Sequence, residues 1–522
     1  MTIVVVGAGA SGAPLAARLS EDSALDVVLL EAGSADGQIP PELLDGSSIR
    51  GAMPDHPANW AYHGELTPDR PYTVARGRIL GGSSTINGGY FVRARPADFR
   101  AWAAVGGPDW SFERVLPVLE ALECDRDLGR RPGHGSAGPM PVQRPVQSGR
   151  VTAAFHQAAE SLGFHFELDK NSPGTLGSGA VPSNIVDGIR VNTAMAYLDS
   201  VRSRANLRIF GDTQVLRVCF ANERALGLET TSGFFKADEV VLCAGAIGSA
   251  HLLLHSGIGP RPMLEELGIP VVEDLPVGEN FSDHPNVAVG WRLQSDVPAP
   301  DDLVAFPASL NFDSMASEKH HPDGDLEILL SAKSLGHLLT GEFPGRPGRV
   351  GSGANDMSAV GAATGEEIAR HEEYQLIVGL QAPEGRGRLS LSSPDPRRQP
   401  RIEYRYLQEA EDRRRLRFGI RTAVEILRSP AFEGIVDGLM GLDACTLSDD
   451  TLLDAWTRSN LGTALHTCGT APMGPVVDAA GRVHGVSGLR VADTSILPKV
   501  PVRGPFATAV LIGELIGRRM CN

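Results

Sequence analysis

Near its N-terminus the chain reads IVVVGAGASG, so glycines fall at positions 7, 9 and 12 directly after a β-branched run. This Gly-x-Gly-x-x-Gly spacing has a mechanical meaning. Gly7 permits a tight turn out of a strand, Gly9 lets backbone approach a pyrophosphate, and Gly12 lets a helix pack close to the strand. The free N–H groups and positive end of that helix then hold phosphates. Glu31 lies 19 residues past Gly12, at the end of a second apolar run, where a carboxylate can accept both ribose hydroxyls. An acid there disfavours a 2′-phosphate, so the chemistry indicated is that of FAD or NAD rather than NADP.

These residues need a frame. A strand over 3–6, a helix over 12–20 and a strand over 26–30 make a βαβ unit. From about 33 to 89 the chain is rich in Gly, Pro, Asp and Ser, which predicts loops without regular elements lying over a ligand. A helix is expected over 111–123, capped by Ser111 and weakened by Pro117, followed by a connection over 125–147. Helical patterns cover 149–162 and 190–203. Strand signals return at 207–210, 213–220 and 238–243, the last leading into GAIGSAHLLLHSGIG, a turn and a helix. A second βα unit so late in the chain implies a nucleotide domain discontinuous in sequence. Strands near 326–331, 374–381 and 387–392 and an amphipathic helix over 407–428 read as α+β, and the chain closes with a strand over 488–491 and a helix over 504–518.

Composition narrows the partners. A net charge of −15 with no dense Lys/Arg run argues against nucleic acid. Six scattered cysteines (Cys124, Cys219, Cys243, Cys445, Cys468, Cys521) show no CxxC pair and no zinc spacing, so no metal is expected and a reducing compartment is. The apolar start carries no basic leader and runs straight into the glycine turn, which reads as a strand rather than a signal peptide. No apolar stretch approaches the ~20 residues needed to span a bilayer. A cytoplasmic protein is expected, with peripheral membrane contact left open. The 60 glycines, above the usual share of about 7%, suit a backbone that approaches a large cofactor at several places.

The segment RGRILGGSSTINGGYFVRAR (76–95), preceded by NWAYHGELTP (59–68), resembles the signature of the glucose–methanol–choline (GMC) oxidoreductases. Four further segments resemble that family and occur in its order: GAIGSAHLLLHSGIG (245–259), VGENFSDHP (277–285), HTCGTAPMG (466–474) and GLRVADTSILPKVP (488–501). The resemblance implies a Rossmann-like, doubly wound α/β FAD-binding domain from 1–150, 205–290 and 450–522. It implies a substrate domain on an antiparallel sheet from 150–205 and 290–450. Gly7, Gly9, Gly12 and Glu31 match the adenosine-diphosphate site, and Arg78, Gly81, Gly82, Ser83 and Asn87 the flavin-covering loop. Val215 matches the position whose backbone meets adenine, and Asp493 and Ala507 the contacts near the pyrophosphate and ring. Ile86 stands where some members carry a histidine covalently bonded to flavin, so the FAD is expected to be non-covalent.

His466 matches the family's catalytic histidine. The chemistry agrees, because an alcohol hydroxyl needs a base as its carbon loses hydride, and imidazole, with a pKa of about 6.5, can take that proton. The family's usual second His or Asn is absent; that position is Gly504, in PVRGPFATAV. Three explanations stand side by side: Arg503 supplies the oxygen contact, Gly504 widens the pocket for a bulky substrate, or catalysis is slow or absent. The RGP variant together with GGYFVRARPADF is similar to a subgroup associated with mycofactocin redox systems. That likeness implies a reduced peptide-derived cofactor as donor and the respiratory chain as sink.

The expected activity is an FAD-dependent alcohol dehydrogenase or oxidase. The donor is a small alcohol or reduced redox cofactor, and oxygen, a quinone or the respiratory chain all stay open as acceptor. A redox-silent flavin lyase of the hydroxynitrile-lyase type and a flavin-bound electron-transfer protein are the alternatives.

Overall fold

The computed structural model describes residues 1–147, 149–314, 321–341 and 372–521. Its first sheet is the frame for the glycine motif. Five parallel strands lie in the order Leu207–Phe210, Asp26–Leu30, Thr2–Val6, Glu239–Leu242 and Leu489–Val491. The three central strands are buried but for their first residues, as Val/Leu runs covered on both faces require, while the edge strand Leu207–Phe210 is half open. The helix Gly12–Leu19 packs against the last helix, Phe506–Cys521, so the two ends of the chain meet beneath the nucleotide turn. An antiparallel meander, Val215–Ala221, Arg224–Thr230 and Gly233–Lys236, flanks this layer.

The second layer is a largely antiparallel sheet. Among the described residues its strands run Val436–Leu439, Pro285–Leu293, Tyr374–Leu380, Leu326–Leu330, Ala308–Phe312, Gly177–Ala180 and His165–Phe166, with Leu461–Thr463 pairing Pro285–Leu293. Alternation divides its faces. Val287, Val289, Leu376, Val378, Leu326 and Ile328 are buried, and the helix Ala410–Arg428 packs on their strands. Asn286, Ala288, Gln375, Ile377, Glu327 and Leu329 face the other way, into a cavity between the two layers.

The described elements correct three local expectations. Within 33–89 the chain forms a hairpin, Tyr62–Thr67 with Arg70–Val74, instead of loops alone. Gly64 and Pro71 obscured its pattern; Arg70–Val74 is an edge strand, where a proline is tolerated. The helix expected over 190–203 shrinks to one wide turn, Ala194–Leu198. Its polar residues bond elsewhere: Thr193 donates from its backbone N–H to Ser84 Oγ (3.1 Å) and from its hydroxyl to the Gly9 carbonyl (3.2 Å). Within 125–147 the short strand Met140–Val142 pairs with Glu123–Asp125, so this stretch is more than a connection. The helix Phe112–Leu122 keeps Pro117 inside it, and Ser111 caps it without a side-chain hydrogen bond.

Candidate active site

A cavity of about 730 Å³ runs between the two layers. One end is the glycine turn. Gly7 has φ +95°, and a Cβ there would sit 2.6 Å from the Cys243 carbonyl oxygen. The loop that carries Gly81 and Gly82 closes over this turn: a Cβ on Gly82 would lie 2.8 Å from Gly9 Cα, and Gly81 donates to the Ala8 carbonyl at 2.9 Å. Side chains are thus excluded where a pyrophosphate must pass. Glu31 accepts from the backbone N–H groups of Ala8 (3.0 Å) and Gly33 (2.9 Å), fixing its carboxylate at the wall. Burial lifts its pKa to about 6, against the opposing pull of those N–H donors and of Arg78.

Gly7, Gly9, Glu31, Arg78, Gly82, Ser83, Asn87, Val215, Asp493 and His466 all border this one cavity. Arg78 also stacks over Trp60, 4.9 Å from the ring centroid. Asp493 is buried and accepts from Gly245 N–H (2.9 Å) and the Ser249 hydroxyl (2.5 Å), tying the second βα turn to the last strand. Gly12, Gly81 and Ala507 lie behind the wall: a Cβ on Gly12 would fall 1.9 Å from the Gly7 carbonyl oxygen, and Ala507 is fully buried. Arg503, one of the three explanations for the missing second base, is 1% exposed and is not among the residues that line the cavity. Its Nη2 lies 3.4 Å from Glu167 Oε1, a buried carboxylate that Lys170 Nζ also meets at 2.7 Å.

His466 has partners that the sequence reading did not assign. Its Nδ1 lies 2.9 Å from Nδ1 of His284. Asp283 Oδ1 accepts from the backbone N–H of both His466 (2.7 Å) and His284 (2.7 Å), and its Oδ2 accepts from the Thr467 hydroxyl (2.8 Å). Arg76 in turn donates to Thr467 Oγ1. Burial holds the His466 imidazole well below the ordinary range, with His284 and Arg76 adding to the effect. Burial likewise lowers His284 to about 3. Both rings are therefore neutral near pH 7. Gly504 sits against the outer nitrogen: a Cβ there would meet Tyr90 Cδ1 at 3.1 Å and His466 Nε2 at 3.3 Å. The SDHP segment was visible in sequence, and an acid–histidine pair inside a family segment was the available signal. Tyr90, Glu327 and Gln381 also border the cavity; a lone acid in the apolar strand LEILL was the only hint of them.

A glycine-lined turn off a parallel strand that shares its cavity with a buried imidazole is the arrangement of a dinucleotide-dependent oxidoreductase. The comparisons make this specific. Models of the N- and C-terminal parts of the GMC oxidoreductases match residues 1–286 and 383–513. The chain is 37% identical to a GMC-type oxidoreductase of Rhodococcus erythropolis, over 98% of this chain and 96% of that one. It is 34% identical to an oxygen-dependent choline dehydrogenase of Yersinia pseudotuberculosis, covering 99% and 93%. The crystal structure of pyridoxine 4-oxidase from Mesorbium loti superposes with a TM-score of 0.86 at 28% identity, covering 99% and 98%. The chain belongs to the GMC oxidoreductase family; it is an FAD-dependent enzyme acting on CH–OH donors. No helix among the described residues is long and apolar enough to cross a membrane.

Proposed function

We propose that His466 is the general base of an alcohol oxidation, taking the hydroxyl proton on Nε2 while hydride leaves the same carbon. One observation carries this reading: Nδ1 is engaged by His284, whereas Nε2 is the nitrogen beside Gly504 at the cavity. If Nδ1 carries the ring proton and donates to His284, Nε2 keeps a lone pair for the substrate. The alcohol then becomes a carbonyl compound: its O–H proton goes to His466, and its C–H bond yields the electron pair. FAD, when bound, supplies the two-electron acceptor. The neutral resting state of His466 suits a base, since a protonated imidazole could not accept.

The chain's other residues position and exclude. Gly7, Gly9, Glu31, Arg78, Gly82, Ser83, Asn87, Val215 and Asp493 would hold the dinucleotide, with Gly12, Gly81 and Ala507 shaping the backbone behind them. The bond to FAD is non-covalent in this reading, as Ile86, which lines the cavity, offers no nucleophile. Gly504 serves by leaving space at Nε2, and Arg503 serves the buried charge pair rather than the substrate. In this reading an FAD domain comes from 1–150, 205–290 and 450–522 and a substrate domain from 150–205 and 290–450; the parallel sheet supports the first, although Leu461–Thr463 joins the sheet of the second. The choline and pyridoxine named for the relatives support a small alcohol as donor.

Replacing His466 with Ala tests the assignment. The purified protein should stay yellow, while anaerobic bleaching of its flavin by alcohols slows by about 10²-fold or more, the usual range for a lost general base. Unchanged bleaching would remove His466 from the mechanism. Admitting air afterwards and assaying peroxide separates oxidase from dehydrogenase behaviour.

A further inference from the structure

Gly504 leaves less room at His466 than a glycine suggests. A Cβ there would lie 3.1 and 3.3 Å from Cδ1 and Cε1 of Tyr90 and 3.3 Å from His466 Nε2. A His or Asn at this position would therefore begin in tight contact with both rings. One edge of the Tyr90 ring stands where the absent second side chain would start, and Tyr90, Gly504 and His466 line the cavity together.

Tyr90 has little freedom to move aside. Its backbone bridges to Ser183, the Gly89 carbonyl accepts from Asn184 N–H (3.1 Å), and Phe91 N–H donates to the Pro182 carbonyl (2.9 Å). The glycines before it are walled in: a Cβ on Gly88 would lie 2.6 Å from Phe306 Cε2, and one on Gly89 2.5 Å from Ile185 Cδ1. After it, Phe91 meets Phe506, the first residue of the last helix, edge to face with ring centroids 5.0 Å apart. The hydroxyl is pinned at the far end of the ring, donating to Glu327 Oε1 at 2.6 Å. Glu327 is held in turn by Asn311 Nδ2 (3.0 Å) and Gln381 Nε2 (3.3 Å).

The bond to Glu327 uses the only proton the phenol has. Burial, with Glu327 adding to it, holds the phenol well above its ordinary range, so that proton stays in place. Tyr90 thus has no donor to offer a substrate oxygen and does not replace the missing second base. It acts by shape. An alcohol whose oxygen meets His466 Nε2 brings its carbinol carbon only one C–O bond further, beside the same ring edge. Walls elsewhere in the cavity, such as Phe306, Leu329, Leu338 and Ile377, are apolar and suit a hydrocarbon body.

We propose that Tyr90 limits the bulk at the carbinol carbon, admitting a CH2OH group and turning away a carbinol that carries a second carbon substituent. This rests on the alcohol-oxidation reading above and narrows its substrate class to primary alcohols.

Benzyl alcohol and the two enantiomers of 1-phenylethanol, which add one methyl to its carbinol, are the probes for the holoenzyme. Where a probe bleaches the flavin, its Kd comes from the concentration dependence of anaerobic stopped-flow reduction. Where it does not, Kd comes from titration of the oxidised-flavin spectrum. Benzyl alcohol should bind at least about 10-fold more tightly than either enantiomer, the lower end of what one extra carbon costs in a fitted pocket. Tyr90→Ala should bring that ratio close to one, and Tyr90→Phe, which keeps the ring, should preserve it. FAD content and Tm are read in parallel, and Tyr90→Leu takes the place of the alanine variant if that protein does not fold. Gly504→Ala should lower Tm when Tyr90 is present and leave it unchanged in Tyr90→Ala; equal losses in both backgrounds would refute the contact. A ratio near one in the unsubstituted enzyme overturns the inference, as does an unchanged ratio once the ring is removed, or benzyl alcohol that neither bleaches nor binds. Failure of every alcohol to bleach the flavin condemns the alcohol-oxidation reading, whereas the binding ratios judge the Tyr90 wall.

Discussion

The imidazole Nδ1 atoms of His284 and His466 are 2.9 Å apart, with their ring planes crossing at 88°. Only one proton can occupy that contact, so one ring donates and the other accepts. Because Asp283 grips the backbone N–H of both residues, the two rings are held in register by one buried carboxylate.

His284 is therefore expected to orient His466 and set its tautomer. His284→Leu should slow anaerobic flavin reduction about 10- to 100-fold, the usual scale for a lost partner that orients a functional histidine. Its FAD content should match the unsubstituted protein. His284→Asn, which can still present a polar atom to Nδ1, should recover part of the rate. A full-rate His284→Leu enzyme would show that the pair is structural only.

The pH dependence of flavin reduction follows from the lowered pKa values. An ordinary imidazole, near 6.5, is largely protonated by pH 6 and useless as a base. His466 lies well below that range in the folded protein, chiefly because it is buried. The reduction rate should thus hold steady from pH 8 down past 6.5 and fall only in more acidic solution. Stopped-flow reduction across this range is the check; an apparent pKa of about 7 or above contradicts it.

Gly7→Val should yield colourless protein. The new side chain would have to take a positive φ, and its Cβ would press on the Cys243 carbonyl oxygen at 2.6 Å. Absorbance near the flavin maximum after purification, and after incubation with excess FAD, measures the loss. A yellow Gly7→Val protein would mean that the turn has more freedom than its contacts indicate.

Away from the cavity, His134 is enclosed by Glu123 (3.2 Å), Asp125 (3.2 Å) and Asp169 (2.8 Å), with Arg93 and Arg144 beside the same carboxylates. Burial pulls its pKa down, but the three carboxylates together outweigh that and raise it to about 10. A raised folded-state pKa stabilises below the unfolded value of about 6.5 and loses that stabilisation as pH climbs through 10. The Tm of the protein should drop between pH 7 and 10 by more than that of His134→Asn. Parallel curves would refute the buried charged histidine. The same three cations supply Glu123 Oε1 and the carboxylates of Asp125 and Asp169 with donors, while Glu123 Oε2 is buried without a hydrogen-bond partner among the described residues.

How much was legible beforehand differs from residue to residue. The glycine turn, its flanking strands and Glu31 were readable because their chemistry is local: a tight turn, a close approach and a strand end are each written in a few consecutive residues. His466 was readable from the motif around it. Secondary structure failed where local pattern was ambiguous, as with Gly64 and Pro71 inside a hairpin, or where polar side chains abandoned a helix to bond with distant backbone, as Thr193 does at Gly9.

The chain by itself thus determined the family, the FAD dependence that goes with it, and a glycine turn opening off a parallel strand. Tertiary structure alone decided that His284, 182 residues before His466 in the chain, touches it, and that Arg503 lies against Glu167. It also set Glu327 and Gln381 at one wall. The reason is geometric: strand alternation shows that a side chain faces one side of a sheet, but only the packing of two layers shows what it meets there.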